Sequence, residues 1–594
     1  MEDNVVRMVQ QRASKYGSRV VCKYKPEDNG EYKPIAWNSF WEVCQNVGRS
    51  LIGLGFGGNT NIGILSDNCP MWTMSDVGIL AAGSVVVPIF AGSSKEQIQF
   101  IVEKTQMPLL FVGNQEQHEK AVWLLNHTSC LKKVVYYKTS IKNYDPRCIS
   151  WEKFCEIDST GENTNRLNDS ISKIDNNTLA TILFTSGTTG DPKGVMLTHG
   201  NFTQCFNIHD QRLDISETDI SFCFLPLSHV FERAWTFYML YKGATNVYLE
   251  NPRIVIDEIK VVKPTVMCTV PRFYEKTYQG VQQEMEKWSP VKQKIFRWSF
   301  RVGGNVVEYK RKNLPVPKGL KYKYRIANKL VLEKFRGLFG GNIRTLPCAG
   351  AAISTNQLQF FHAAGVFVNY GYGATETTAT VSCLKSDVYD LHSCGTVMPE
   401  VEVKISDEGE IMVKGKTVFI GYYNNPEATE RTLVDGWYKT GDRGHFTESG
   451  DLVMDDRIND IFKTSGGKFI CPQSIELLIT NDQFIDQAVV LGDNRKFVSA
   501  LIVPSFDKFR AVWNADGVQE LSNEELAAHP RVISFMQQRL DRCQKDLPSY
   551  ERIVKFKLLS EPFTIHNEGL TNTLKVRRKL IAERYMELVE EMYR

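Results

Sequence analysis

Across the first 270 residues, segments of helical period alternate with short runs rich in Val, Ile and aromatic residues: NIGIL, SVVVPIF, PLLFVG, KKVVYY, TILFTS, NVYLE and TVMCTV. That alternation confines the chain to α/β layers built on largely parallel sheets. At 594 residues the chain is too long for one core, so at least two domains are required. From residue 401 the texture changes to short alternating strands (VEVKI, EIMVKG, DLVMDD), then a Gly-rich corner, then a mixed segment of about 130 residues. That tail ends in a helix on which Ile581, Tyr585, Leu588 and Met592 share one face. The expected division is 1–456 and 457–594, with a hinge near 457–462. Residues 157–176, polar and aperiodic, read as a surface connection.

Composition removes several classes. Apolar residues make up 42% and charged residues 23%, which fits neither a disordered nor a membrane-spanning chain. A net charge of +3 gives no ground for a nucleic-acid partner. The fourteen cysteines form no C-x-x-C pair and read as reduced thiols of a cytoplasmic protein. The start, MEDNVVRMVQQ, carries charges where a secretory leader needs an apolar core. The longest uncharged stretch, Val77 to Ser94, is broken by Gly78, Gly83, Pro88 and Gly92, so no spanning helix is expected.

One region departs from this balance. Residues 287–336 hold fifteen Lys or Arg against two Glu, interleaved with Trp288, Phe296, Trp298, Phe300, Tyr309, Tyr322, Tyr324 and Phe335. A solvated basic helical face and peripheral contact with an anionic membrane are the two readings that this pattern leaves standing.

Residues 181–200 read TILFTSGTTGDPKGVMLTHG. Small residues let backbone N–H groups converge on an anion, and Thr and Ser hydroxyls add donors. A Walker A loop would need Gly-Lys followed by Ser or Thr, whereas Lys193 stands between Pro192 and Gly194. The unit reads as strand, glycine-rich loop, strand, with Lys193 at the exit. A plain hairpin with a polar tip is the simpler alternative. Seven of the ten residues from Thr185 to Gly194 are Thr, Ser or Gly, which favours anion binding.

Four further stretches change the weight of that loop: YGYGATETTAT (370–380), DGWYKTGDRG (435–444), DDRINDIFKTSGGKFICPQSIE (455–476) and GLTNTLKVRR (569–578). In order and spacing the five together resemble the adenylate-forming superfamily, over residues 20 to 580. Within it, the block from Asp435 to Glu476 and the loop PLSHVFERAW (226–235) are most similar to long-chain fatty acid CoA ligases. The resemblance implies an α/β fold: a large N-terminal domain of stacked αβ layers with a distorted β-barrel part, and a small mobile α+β C-terminal domain. It also implies an acid–thiol ligase that uses ATP, Mg2+ and coenzyme A to turn a long-chain fatty acid into its acyl-CoA through an acyl adenylate.

Activating a carboxylate means driving one anion onto the α-phosphate of another, so cations and hydrogen-bond donors should dominate the site. Carried over by resemblance, Thr185, Ser186, Gly187, Thr188, Thr189, Gly190 and Lys193 grip the phosphates. Thr185 and Glu376 hold the metal. Gly350, Ala351 and Ala352 form the wall for adenine, with Tyr370, Gly371, Tyr372, Gly373 and Thr375 beside it. Asp442 meets the ribose, and Arg457 and Lys463 the ribose or phosphates. Lys575, Glu376, Lys193 and His229 form the catalytic set, and His229 and Trp235 lie on the acyl side. Gly466, Gly467 and Lys468 meet CoA after a domain rotation about Asn459, where the superfamily usually carries Asp or Lys. Three alternatives remain: an aryl or medium-chain acid, a carrier-protein thiol as acceptor, and a membrane-associated binding protein without turnover. An amino acid substrate is disfavoured, because the only carboxylate in 226–235, Glu232, stands beside Arg233. A homodimer is left open.

Overall fold

The computed structural model describes residues 4–26, 30–158, 160–185, 192–513, 520–564, 567–571 and 575–594. Its largest sheet has seven strands in the order Cys148–Ser150, Lys133–Tyr136, Leu109–Val112, Asn61–Leu65, Val85–Ile89, Leu179–Thr185 and Lys193–Thr198. All neighbours are parallel except the last two, which pair antiparallel with Thr185 opposite Lys193. Val85–Ile89 and Leu109–Val112 are buried throughout, because helices cover both faces of a parallel sheet. Pro88 has no N–H to give, and the ladder from its strand toward Leu179–Thr185 is reduced to one pair, Val86 with Thr181.

A second sheet runs Ile220–Cys223, Thr245–Tyr248, Val20–Tyr24, Lys33–Ala36, and a third Leu346–Cys348, Val368–Tyr372, Ser382–Cys383, Thr396–Val397. The expected strand TVMCTV is instead a set of isolated bridges. Val266 joins Ser221 to Thr345, and Thr269 meets Cys348, so the segment stitches these two sheets together. Five antiparallel strands follow, Glu402–Ile405, Glu410–Lys414, Leu433–Val434, Trp437–Phe446 and Leu452–Arg457. A separate core then gathers around Ile485–Leu491, Val498–Pro504 and Ile553–Leu558. Ile581 and Met592 are buried in it and Tyr585 and Leu588 pack against it, although the helix expected there breaks at Tyr585 into Arg578–Arg584 and Met586–Tyr593. The two parts meet along the helix Pro271–Glu286: Arg272 Nη2 lies 2.9 Å from Asp486 Oδ1, and Lys508 Nζ 2.9 Å from Glu286 Oε2.

Two expectations need correction. Residues 157–176 are not all connection: Thr164–Lys173 is a helix, with Leu167 and Ile171 buried beneath it. Two apolar residues one turn apart in a polar background were too faint a signal. The aromatic residues of 287–336 mostly face inward. Phe296, Phe300 and Phe335 are buried, Trp288, Trp298, Tyr309 and Tyr324 half-buried, and Tyr322 alone is exposed. Among the described residues no helix is long and apolar enough to cross a membrane.

The core beside the seven-stranded sheet encloses one ion pair. Arg233 donates from Nε and Nη2 to the two oxygens of Asp76 at 2.7 and 2.6 Å, and from Nη1 to Thr181 Oγ1 at 2.6 Å. Both side chains are at most 1% exposed. Removing one partner strands the other charge in the core. Arg233→Ala should therefore cost about 3–5 kcal/mol, read as a fall in the denaturation midpoint, and the double variant Asp76→Leu/Arg233→Met should regain most of it.

Candidate active site

Thr185 ends its strand at the carboxyl edge of the parallel sheet, the edge from which ligands are met in open α/β folds. Its hydroxyl donates to the Lys193 carbonyl at 3.5 Å across the mouth of the loop. Ser186, Gly187, Thr188, Thr189 and Gly190, the phosphate-gripping residues expected from sequence, lie outside the described residues. The strand–loop–strand reading holds at both ends, in Leu179–Thr185 and Lys193–Thr198.

Beside Lys193–Thr198 runs the segment 419–423, tied by Tyr423 N–H to Gly194 O at 2.7 Å and Met196 N–H to Gly421 O at 3.1 Å. This brings Tyr422 between two of the expected catalytic groups. The Lys193 amine stands 5.2 Å from the Tyr422 ring, and the Tyr422 hydroxyl donates to Glu376 Oε1 at 2.9 Å. Burial and then the Glu376 carboxylate push the phenol well up, so it stays a donor. Tyr422 belongs to none of the five motifs, and only strand register places it. Among the described residues no three His, Cys, Asp or Glu side chains gather as a metal site. A divalent ion at Glu376 and Thr185 would therefore take most of its ligands from phosphate and water, the habit of Mg2+.

Glu376 sits in the short 3-10 turn Thr375–Thr377 after the strand Val368–Tyr372. The turn doubles back so closely that a Cβ on Gly373 would lie 1.8 Å from the Ala379 carbonyl oxygen, which demands glycine there. Tyr370, Gly371 and Tyr372 belong to that strand, and the Tyr372 hydroxyl donates to Asp442 Oδ2 at 2.6 Å. Asp442 is 6% exposed, and its Oδ1 has no hydrogen-bond partner among the described residues; Arg457 Nε approaches to 3.5 Å from the facing strand. A buried carboxylate with one oxygen held and one open can accept from a ligand hydroxyl. Gly350 and Ala351 are exposed and Ala352 half-buried, an open surface of small residues.

Lys575 arrives from the C-terminal part. Thr571 N–H donates to its carbonyl at 2.8 Å and its own N–H to Thr571 Oγ1 at 3.0 Å, which fixes the backbone under the amine. Burial, and then the Arg457 cation, lower the amine to about 8; the carboxylates of Asp442, Glu376 and Asp460 oppose them. His229, the N-cap of the helix Val230–Lys242, is pushed down to about 4 by burial and then by the Lys575 charge. The amine thus lies within electrostatic reach of Glu376, Asp442, Arg457 and His229, four of the residues expected at the site.

Other expected residues stand apart. Trp235 is 4% exposed in the main core, its indole N–H spent on Ser221 Oγ at 2.9 Å. Lys463, Gly466, Gly467 and Lys468 lie on an exposed two-stranded ribbon, with the Lys463 amine 5.3 Å from the Phe469 ring and Lys468 5.3 Å from Tyr550. Asn459 is exposed in the turn after Leu452–Arg457, while Asp456 accepts from the N–H groups of Arg457 and Gln473 at 2.8 and 3.0 Å just before it. The argument from Glu232 also changes. Arg233 is committed to Asp76, so it does not neutralise Glu232. Burial alone lifts that carboxyl to about 8 and keeps it uncharged at neutral pH, so it still offers no carboxylate to an ammonium group.

The model of the AMP-binding enzyme family matches residues 9–423, and that of the AMP-binding enzyme C-terminal domain residues 459–594. Among curated relatives, the long-chain-fatty-acid–CoA ligase FadD15 of Mycobacterium bovis is 31% identical, over 100% of this chain and 97% of its own. The long-chain-fatty-acid–CoA ligase ACSBG2 of Xenopus laevis is 28% identical, over 99% and 83%. Among solved structures, the anthranilate CoA ligase AuaEII in complex with anthranoyl-AMP superposes with a TM-score of 0.73 at 17% identity, covering 99% of this chain and 98% of that one. The o-succinylbenzoate CoA synthetase of Bacillus subtilis with ATP and magnesium gives 0.66 at 19% identity, covering 97% and 99%. At those identities the solved structures speak for the fold alone.

The environment of Lys575 can be read by competitive labelling with acetic anhydride across pH, followed by mass spectrometry. Its midpoint should fall at about 8, below that of ordinary lysines. Arg457→Met removes a neighbouring cation and releases Asp442, so the midpoint should rise; an unchanged midpoint would show that the two groups do not interact.

Proposed function

The chain belongs to the AMP-binding enzyme family, and from that premise we propose that it is an ATP-dependent long-chain fatty acid–CoA ligase working through an acyl adenylate. The observation that carries the reading is that Lys575, from the C-terminal part of the chain, lies within electrostatic reach of Glu376, Asp442 and His229 from the part before it and of Arg457 at the junction. Attack of a fatty carboxylate on the α-phosphate of ATP joins two anions. Lys575 and Arg457 offset that repulsion, and Lys193 faces the leaving pyrophosphate together with the loop it closes. Asp442 Oδ1, which makes no hydrogen bond among the described residues, accepts from a ribose hydroxyl, and adenine lies on the surface at Gly350–Ala352. A magnesium ion held by Glu376 and Thr185 would neutralise phosphate charge. His229, neutral at its depressed pKa, adds no charge on the acyl side.

The long-chain preference rests on the curated relatives and on what flanks the acyl loop. Phe224 begins a run of buried rings, Phe224–Phe273 at 5.8 Å, Phe273–Phe339 at 6.0 Å, Phe339–Phe335 at 5.9 Å and Phe335–Phe300 at 5.3 Å, an apolar wall along which an alkyl chain can lie. The second half-reaction needs CoA to reach the adenylate from another side. The exposed ribbon at Gly466–Lys468 is our candidate for that contact, after rotation about the turn at Asn459. Fourteen unpaired cysteines suit a reducing cytoplasm.

Lys575→Ala should abolish adenylate formation, measured as pyrophosphate release, while thioester formation from supplied acyl adenylate largely survives. Equal loss of both steps would refute the assignment. Each added CH2 should raise kcat/KM roughly fourfold until the apolar wall ends, from about 0.8 kcal/mol per buried methylene. A best substrate of short chain would overturn the long-chain reading.

A further inference from the structure

With most of its aromatic residues turned inward, the basic region 287–336 has a different outer face from the one its composition suggests. The helix Lys318–Ala327 continues as a π turn through Asn328–Leu332. Its inner side, Leu320, Tyr324, Ala327, Val331 and Leu332, packs on the aromatic core. Its outer side carries Tyr322, Ile326 and Leu330, spaced four residues apart and 67%, 40% and 48% exposed. Beside them stand Lys318, Lys321, Lys323, Arg325 and Lys329, all exposed and, among the described residues, none in an ion pair. From Lys312 to Leu332 there is no Asp or Glu.

A solvated face would intersperse carboxylates and keep its large apolar side chains covered. Here an apolar stripe lies open between cations of one sign. Such a stripe can sink into the headgroup boundary of a bilayer while long Lys and Arg stems reach back to lipid phosphates.

We propose that the outer face of 318–332 docks on an anionic lipid bilayer through Tyr322, Ile326 and Leu330, with Lys318, Lys321, Arg325 and Lys329 facing the headgroups. This gives the membrane contact a defined helix face, and it stands independently of the ligase reading. Charge complementarity selects the occupant: a wholly cationic rail calls for an anionic surface, and three aliphatic or aromatic side chains call for one with an apolar interior.

The test is flotation of the full chain with vesicles of phosphatidylcholine alone or mixed with phosphatidylglycerol, at low and rising salt. Binding is expected to the anionic vesicles only, and to weaken with salt. Lys321→Gln/Arg325→Gln/Lys329→Gln should weaken it by about fivefold for each cation removed. Tyr322→Ser/Ile326→Ser/Leu330→Ser should weaken it by about tenfold or more while leaving the salt dependence in place. Turnover of a medium-chain acid in vesicle-free solution, unchanged in both variants, shows that they are folded. No binding at low salt would overturn the proposal, as would equal binding to neutral vesicles or wild-type binding by either variant. A failure of the ligase reading would show in the turnover assay and leave flotation untouched.

Discussion

Two negative groups have to be held together, and the charge that makes this possible is not carried by one domain. Lys575 belongs to the C-terminal part, while Glu376, Asp442 and His229 belong to the part before it, with Arg457 at the junction. The amine is lowered to about 8 because it is buried near another cation. Holding it there charged costs free energy, which an incoming triphosphate can relieve. A site assembled this way is complete only while the two parts are in register.

The surroundings supply that register. Helix Pro271–Glu286 offers an ion pair near each end, through Arg272 to Asp486 and Glu286 to Lys508, some 21 Å apart at 1.5 Å per residue. Two such contacts on one rigid rod resist rotation where a single one would act as a pivot. Both are partly exposed pairs of modest strength. The turn after the strand Leu452–Arg457 is short, with Ile458 and Asn459 exposed, whereas Asp456 just before it is buried and tied to two backbone N–H groups.

Much of the site was legible as motifs because its chemistry leans on residue types with few substitutes. Gly373 has no room for a Cβ, Glu376 presents its carboxylate on a tight turn, and Asp442 is a buried acceptor. Tyr422 was not legible, since an isolated tyrosine outside any motif becomes meaningful only when 419–423 lies beside Lys193–Thr198. Glu232 was misread for a related reason. Adjacent residues on a helix point in different directions, so Arg233 turns to Asp76 across 157 positions and leaves its neighbour alone. The aromatic residues of 287–336 show the same limit, because composition counts them and only packing says which way they face.

The amino-acid sequence alone determined the α/β layering of the first half, the change of texture from residue 401 and the motif residues of the candidate site, since period, turn chemistry and the donors that phosphate demands are local properties. Tertiary structure decided which of those residues meet, where each charged side chain finds its partner, and which face of the basic helices is left open, because these depend on contacts between segments hundreds of residues apart.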